Sequence, residues 1–286
     1  MKTSSVQKQT NQIPSTEGLP IRYDIYSPEG VQSPLPVILF LHGFKGFKDW
    51  GTFPEICKQI ATKGFAVIAM NFSLNGIGEN KMEFDRLDLF SRETLSQDLE
   101  DVGTVIKAIK SKAIEIGETS KIGILGHSRG GQTAAAAAAE YADIDCLVTW
   151  SAVADYNARW SEKMLHDWQT KGVTEIKNGR TGQIMPMKKM VHEDALRNAE
   201  RVIALNRVDE LEIPALFVHG EEDEAVNPKN AEQLYNACSS QEKDLLLVSD
   251  AGHTYGGSHP FQSDELPKPL NRALAKTTQW FEAYLK

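Results

Sequence analysis

A serine hydroxyl attacks a carbonyl only when a nearby base takes its proton and a carboxylate orients that base. Ser128, Asp223 and His253 occur in that order along the chain, each soon after a short apolar run. Ser128 sits at the centre of Gly126-His127-Ser128-Arg129-Gly130. The run Lys121-Ile-Gly-Ile-Leu125 precedes it, and Gly131-Gln-Thr and six alanines follow. Strand, Gly-x-Ser-x-Gly, helix is the context in which a tight turn lifts a serine to the top of a parallel sheet. Side chains at Gly126 or Gly130 would clash there, and Ser128 is expected in a strained backbone conformation. Asp223 lies in His219-Gly-Glu-Glu-Asp-Glu-Ala-Val226, and His253 in Ala251-Gly-His-Thr-Tyr-Gly-Gly257. Glu222 and Glu224 are the rival acids, and His259 is the rival base. His42 and His127 flank the same motifs and read as packed, hydrogen-bonded histidines.

These residues need strands to carry them. Val37–Leu41, Phe65–Met70, Lys121–Leu125, Asp145–Trp150, Ala215–His219 and Asp244–Val248 are short apolar runs of the kind buried on both faces. Helical spacing falls between them: over Phe53–Lys63, over Ser91–Ile114, through the alanines Ala134–Ala139, near Asn230–Cys238 and over Asn271–Leu285. The alternation predicts an α/β fold: a mostly parallel central sheet of about eight strands with helices on both faces. Leu19–Tyr26 alternates in hydropathy and reads as an antiparallel edge strand. Residues 1–17 are polar and read as a loose N-terminal segment. Residues 18–286 read as one domain, with a lid inserted over about 156–207, after the sixth strand. Within the lid, Val173–Met185 suggests a hairpin around Asn178-Gly179, and Tyr156–Trp168 and Lys188–Leu205 look helical.

Composition narrows the partners. The chain has 286 residues, 41% hydrophobic and 24% charged, with a net charge of −8. That balance speaks against nucleic acid and offers no broad basic face to a membrane. The apolar runs are too short to cross a bilayer, and the first ten residues have no leader-like apolar stretch. Cys57, Cys146 and Cys238 are few, odd in number and widely spaced, which suits reduced thiols in the cytoplasm. The seven histidines show no metal-ligand spacing. No metal or cofactor is expected. The expected partner is a small-molecule ester, and the oligomeric state is left open.

His42-Gly43 after the third strand, Gly-His-Ser-Arg-Gly-Gly, His-Gly-x-x-Asp and Gly252-His253 together resemble the α/β-hydrolase family. Within it they resemble the branch of dienelactone hydrolase-like and prolyl-oligopeptidase-like esterases, over roughly residues 20–286. The resemblance implies a serine hydrolase with Ser128 as nucleophile, His253 as base and Asp223 as acid. It also implies an oxyanion hole made by the backbone N–H groups of Phe44 and Arg129. The single His-Gly followed by Phe departs from the Gly-rich oxyanion loop of some lipases and argues against bulky lipid esters.

The lid hints at substrate. Tyr156–Leu205 holds nine Lys/Arg against six Asp/Glu, in a chain that is acidic overall. Lys45 and Lys48 add positive charge beside the oxyanion loop. Arg159, Arg180 or Arg129 could meet a carboxylate or phosphate, the alternative being a solvated lid face. Trp150, Trp160 and Trp168 could line an apolar or aromatic acyl pocket, or simply pack the lid. The function expected is hydrolysis of carboxylic esters with small or aromatic acyl groups, through an acyl-Ser128 intermediate. Two rivals stand beside it: a short-peptide peptidase or amidase, and a ligand-binding receptor on the same scaffold.

Overall fold

The computed structural model describes residues 5–30, 34–80 and 82–286. Its strands are β1 (Val6–Pro14), β2 (Pro20–Pro28), β3 (Leu35–Leu41), β4 (Ala66–Met70), β5 (Thr119–His127), β6 (Cys146–Trp150), β7 (Val173–Lys177), β8 (Ile184–Lys188), β9 (Ala215–Gly220) and β10 (Lys243–Val248). Its α-helices are α1 (Phe53–Ala61), α2 (Leu87–Phe90), α3 (Leu95–Lys110), α4 (Arg129–Glu140), α5 (Glu162–Lys171), α6 (Lys189–Arg197), α7 (Ala199–Val202), α8 (Lys229–Ala237) and α9 (Lys268–Leu285).

Eight strands form the central sheet in the order β1-β2-β4-β3-β5-β6-β9-β10. β1 and β2 run antiparallel to their neighbours, and the rest are parallel. Alternate residues of each strand supply opposite faces, as the period of two requires. Val37, Leu39 and Leu41 of β3 join the core under α3, α4 and α8. Ile38 and Phe40 join the core under α1 and α9. Ala134–Ala138 of α4 are buried, so this helix lies close on the sheet and carries its N-terminus to the strand ends.

The N-terminal segment differs from expectation. Val6–Pro14 is a strand paired with β2 along its whole length, so Pro20–Pro28 is not at the edge. The reason is polar: Lys8 Nζ lies 2.8 Å from Asp24 Oδ2, and Thr10 Oγ1 donates to Asp24 Oδ1 at 2.7 Å. A strand held by its backbone and a buried carboxylate leaves no hydropathy signal. The long helix begins at Leu95 rather than Ser91, because the Thr94 side chain caps it by accepting from the Gln97 N–H.

The insertion lies between β6 and β9. β7 and β8 form the expected hairpin, with Lys177 opposite Ile184. Its turn spans 178–183 instead of closing on Asn178-Gly179. The Gly182 N–H bonds to the Asn178 carbonyl at 2.8 Å, and Gly182 takes the left-handed conformation that closes the loop (φ 76°). Lys188–Leu205 is two α-helices broken at Asn198, with a further short turn over Ala204–Asn206. Trp168, Met185, Met187 and Val191 pack with Phe47, Phe84 and Phe90 in a small core of their own. This core ties the insertion to the loops above β3 and β4.

Candidate active site

The turn from β5 into α4 is as tight as its glycines suggest. A Cβ at Gly126 would lie 2.1 Å from the Gly130 carbonyl oxygen, and one at Gly130 would lie 2.3 Å from that of His42. Ser128 has φ 58° and ψ −121°. Its N–H donates to the Trp150 carbonyl at 2.8 Å, and its own carbonyl accepts from the Gly131 N–H at 3.0 Å. Such surroundings hold a conformation that costs about 1–3 kcal/mol.

β9 and β10 bring the other two groups to the same place. The Ser128 hydroxyl lies 3.0 Å from His253 Nε2. His253 Nδ1–H donates to Asp223 Oδ2 at 2.8 Å. The Ala225 and Val226 N–H groups both donate to Asp223 Oδ1 at 2.9 Å, which fixes the carboxylate. His219, which no motif marks as a site residue, places Nε2 2.9 Å from the Val226 carbonyl, its hydrogen-bond partner, and 3.2 Å from the same Asp223 carboxylate. Burial pushes the Asp223 carboxyl up, but hydrogen bonds from His219, His253 and the Val226 backbone outweigh it. They hold the group well below the usual carboxylate range. Glu222 and Glu224 are exposed, and no bond joins either to His253 among the described residues. His259 instead accepts the Gly51 N–H at Nδ1, at 2.7 Å, away from Ser128.

The two flanking histidines are scaffold. His127 Nε2–H donates to the His253 carbonyl at 2.9 Å, and burial lowers its pKa to about 3. His42 Nδ1–H donates to the Gly43 carbonyl at 2.9 Å, and burial lowers its pKa to about 4. Both are neutral at working pH.

The loop after β3 lies against the serine. A Cβ at Gly43 would come within 2.8 Å of Ser128 Cβ and 3.3 Å of its hydroxyl oxygen. Phe44 follows directly on that loop. Arg129 opens α4, where the first N–H groups have no intrahelical partner. The Arg129 side chain goes elsewhere. Its guanidinium is buried, 2.7 Å from Glu93 Oε2 and 2.5 Å from Asp98 Oδ2, so it is not free to meet a substrate anion. Asp98 falls three residues after Leu95 and four before Val102, on the apolar face of α3. A carboxylate placed there signals a buried partner.

Two cavities meet at Ser128 and His253. The first, about 350 Å³, is lined on its apolar side by Val153, Tyr156, Trp160, Met164, Ile176 and Met187. The second, about 260 Å³, lies between the Gly43–Gly46 loop, Trp50 and the hairpin tip Asn178–Arg180. Lys45 lines both. Arg129 and Arg159 line the first and Arg180 the second.

Trp150 lines neither. Its ring points to the α9 face, against Tyr255 at 5.5 Å, and its indole N–H donates to Thr277 at 2.8 Å. As the last residue of β6 it follows Cys146 and Val148 to that face. Trp168 is likewise core of the insertion, donating to the Met187 carbonyl at 2.9 Å. Lys48, expected beside the site as free charge, is buried on Asp24 at 2.6 Å and Asp49 at 2.7 Å. The sequence reading passed over Met164, Ile176 and Met187. Their only signal is the apolar spacing of α5 and the hairpin. No cluster of three or more metal-ligating side chains occurs among the described residues.

This sheet, elbow and loop order define an α/β hydrolase. A profile of the prolyl oligopeptidase family matches residues 52–286, and the chain belongs to that family, with the dienelactone hydrolase-like esterases as its structural neighbours. An uncharacterised 31.7 kDa Escherichia coli protein from the traX-finO intergenic region is 24% identical, over 94% of this chain and 97% of its own. The esterase domain of a Rhodothermus marinus protein superposes with a TM-score of 0.68 at 20% identity, covering 98% of this chain and 100% of that one. Est1E from Butyrivibrio proteoclasticus gives 0.67 at 18% identity, over 96% and 98%. A dienelactone hydrolase from Anabaena variabilis gives 0.64 at 14% identity, over 98% and 99%.

Proposed function

We propose that this hydrolase is a serine carboxylesterase for small or aromatic acyl groups. The observation that carries the reading is the continuous hydrogen-bonded chain from Ser128 through His253 to Asp223, at 3.0 and 2.8 Å, ending in a strained serine beside an open cavity. His253 takes the Ser128 proton as the hydroxyl oxygen attacks the ester carbonyl. Asp223, held ionised, orients the imidazole and supports its charged form. The Phe44 and Arg129 N–H groups receive the oxyanion; losing one such donor typically costs about 10²–10³ in rate. His253 then gives its proton to the leaving alcohol. Water, deprotonated by the same imidazole, releases the acid from Ser128.

In this reading the insertion over 156–207 acts as lid to a single catalytic unit. The aromatic and thioether lining of the first cavity suits an aryl or short alkyl group. The three cysteines are free and buried, which suits a reducing compartment such as the cytoplasm. No described helix is long and apolar enough to cross a membrane.

The test is a burst assay on 4-nitrophenyl esters from acetate to decanoate and on a cinnamoyl ester, with matched anilides. Ester turnover that falls by at least about 10⁴-fold in Ser128→Ala is the expected result. Faster turnover of the anilides would favour the amidase. A folded wild type inert to every substrate and to a fluorophosphonate would favour a receptor.

A further inference from the structure

Elsewhere in this molecule the fully buried cations are matched with carboxylates, while half-buried Lys121 and Lys243 are met by backbone carbonyls. Lys48 meets Asp24 and Asp49, and Arg129 meets Glu93 and Asp98. Half-buried Arg201 meets Glu100 and Glu140. The two cavities at Ser128 break this pattern. Four cations line them, Arg129 with its own two carboxylates and Lys45, Arg159 and Arg180 without, and among the described residues no Asp or Glu lines either cavity, in a chain with 39 acidic and 31 basic side chains.

None of Lys45, Arg159 and Arg180 has a carboxylate within 4 Å among the described residues. Lys45, half-buried in the left-handed conformation (φ 58°), has its ammonium 5.8 Å from the centre of the Phe44 ring. Arg180 donates Nη1 to the Met82 carbonyl at 2.6 Å, while its Nη2 is buried with no partner. Arg159 donates once, to the Ala225 carbonyl at 3.0 Å. Partial burial of a cation without a paired anion is unfavourable, and burial favours the neutral form of Lys45 and of Arg180, in Arg180 against the weaker attraction of the more distant Glu83. A ligand anion would offset that cost through charge-assisted hydrogen bonds.

We propose that the natural substrate is an ester bearing a carboxylate, and that this carboxylate is held in the second cavity by Lys45 and Arg180. The apolar part of the substrate then fills the first cavity, and the ester carbonyl sits between them at Ser128. This assignment rests on the ester-hydrolase reading and adds the substrate class to it. The two cations come from different elements, the oxyanion loop and the hairpin tip of the insertion. An anion bridging them also holds the insertion over the site.

The test uses matched ester pairs. 4-Nitrophenyl hemisuccinate against 4-nitrophenyl butyrate places the charge on the acyl side. A carboxyphenyl acetate against its methyl ester places it on the alcohol side. The wild type is expected to prefer the charged member of one pair in kcat/KM, and that pair identifies the side. Arg180→Gln and Lys45→Gln are each expected to lower the charged-to-neutral ratio by about tenfold or more. Lys177→Gln removes the same charge from an exposed position on β7 outside both cavities, and leaves the ratio unchanged. Added salt narrows the wild-type preference. A ratio near one in the wild type, or one that Arg180→Gln and Lys45→Gln do not alter, overturns the anion site and leaves the esterase reading intact. A second measurement does not need turnover: binding of succinate and of hydroxyphenyl carboxylate to Ser128→Ala, followed by tryptophan fluorescence, since Trp50 lines this cavity. If no ester is hydrolysed, carboxylate binding that Arg180→Gln weakens still supports the anion site. Absence of binding overturns it.

Discussion

Asp223 illustrates how much one residue does at this site. One oxygen takes two backbone N–H groups, and the other takes His253, with His219 Nε2 3.2 Å away. Its carboxyl is held far below its unfolded value. Its stabilising effect is therefore fully present above the usual carboxylate range and is lost only as pH falls toward the folded value. Any loss of activity between about pH 5 and pH 7 belongs to another group. Asp223→Asn keeps the two backbone N–H bonds but presents an amide N–H where His253 needs an acceptor, which favours the wrong tautomer. The expected outcome is a fall of about 10³–10⁴ in kcat together with a lower Tm, because the neutral amide gives up the stabilisation of the ionised carboxylate. A pre-steady-state burst of wild-type size in this variant would count against the proposed role.

At the scale of elements, α3 and α4 are joined by a buried ion cluster directly behind the loop that follows β3. The Arg129 guanidinium lies 5.6 Å from the centres of both the Phe44 and Tyr156 rings. It links α4 to the loop after β3 on one side and to the start of the insertion on the other. Burial pushes the Asp98 carboxyl up, against the pull of Arg129. Arg129→Met leaves Glu93 and Asp98 without their cation. It is expected to destabilise the fold by about 3–5 kcal/mol in urea unfolding, and Arg129→Met with Glu93→Gln and Asp98→Asn to recover part of the loss. A single variant as stable as the wild type would show that the cluster tolerates loss of its cation. Much of this level was legible beforehand. The elbow, the parallel strands and the order of Ser128, Asp223 and His253 follow from glycine sterics and apolar periodicity, which act over a few residues. The Arg129 cluster was not, because Glu93 and Arg129 are 36 positions apart.

At the scale of the whole molecule, β1 closes one edge of the sheet. Its outward residues are polar and largely exposed, as suits an edge that must not recruit another strand. It also supplies two partners of the fully buried Asp24, Lys8 and Thr10. A chain lacking residues 1–14 exposes the backbone of β2 and leaves Asp24 with Lys48 alone of these three. It is expected to form species larger than the full chain at micromolar concentration, measured by size-exclusion chromatography with light scattering. Identical elution of the truncated and full chains would show that β1 is not a protective edge.

The sequence by itself determined the parallel strands of the sheet, the tight turn that carries Ser128 and the placing of Asp223 and His253 at strand ends. Each of these depends on local sterics or on a short repeat of apolar residues. Tertiary structure alone decided which charged and aromatic groups face the site. Lys48 and Lys45 are three residues apart on one loop, yet Lys48 is consumed by Asp24 and Lys45 faces both cavities. Trp150 and Trp160 looked equivalent, yet strand register sends Trp150 to the α9 face and leaves Trp160 in the first cavity. The physical reason is the same in both cases. A long side chain's partner is chosen by packing between distant segments, and no local pattern records that choice.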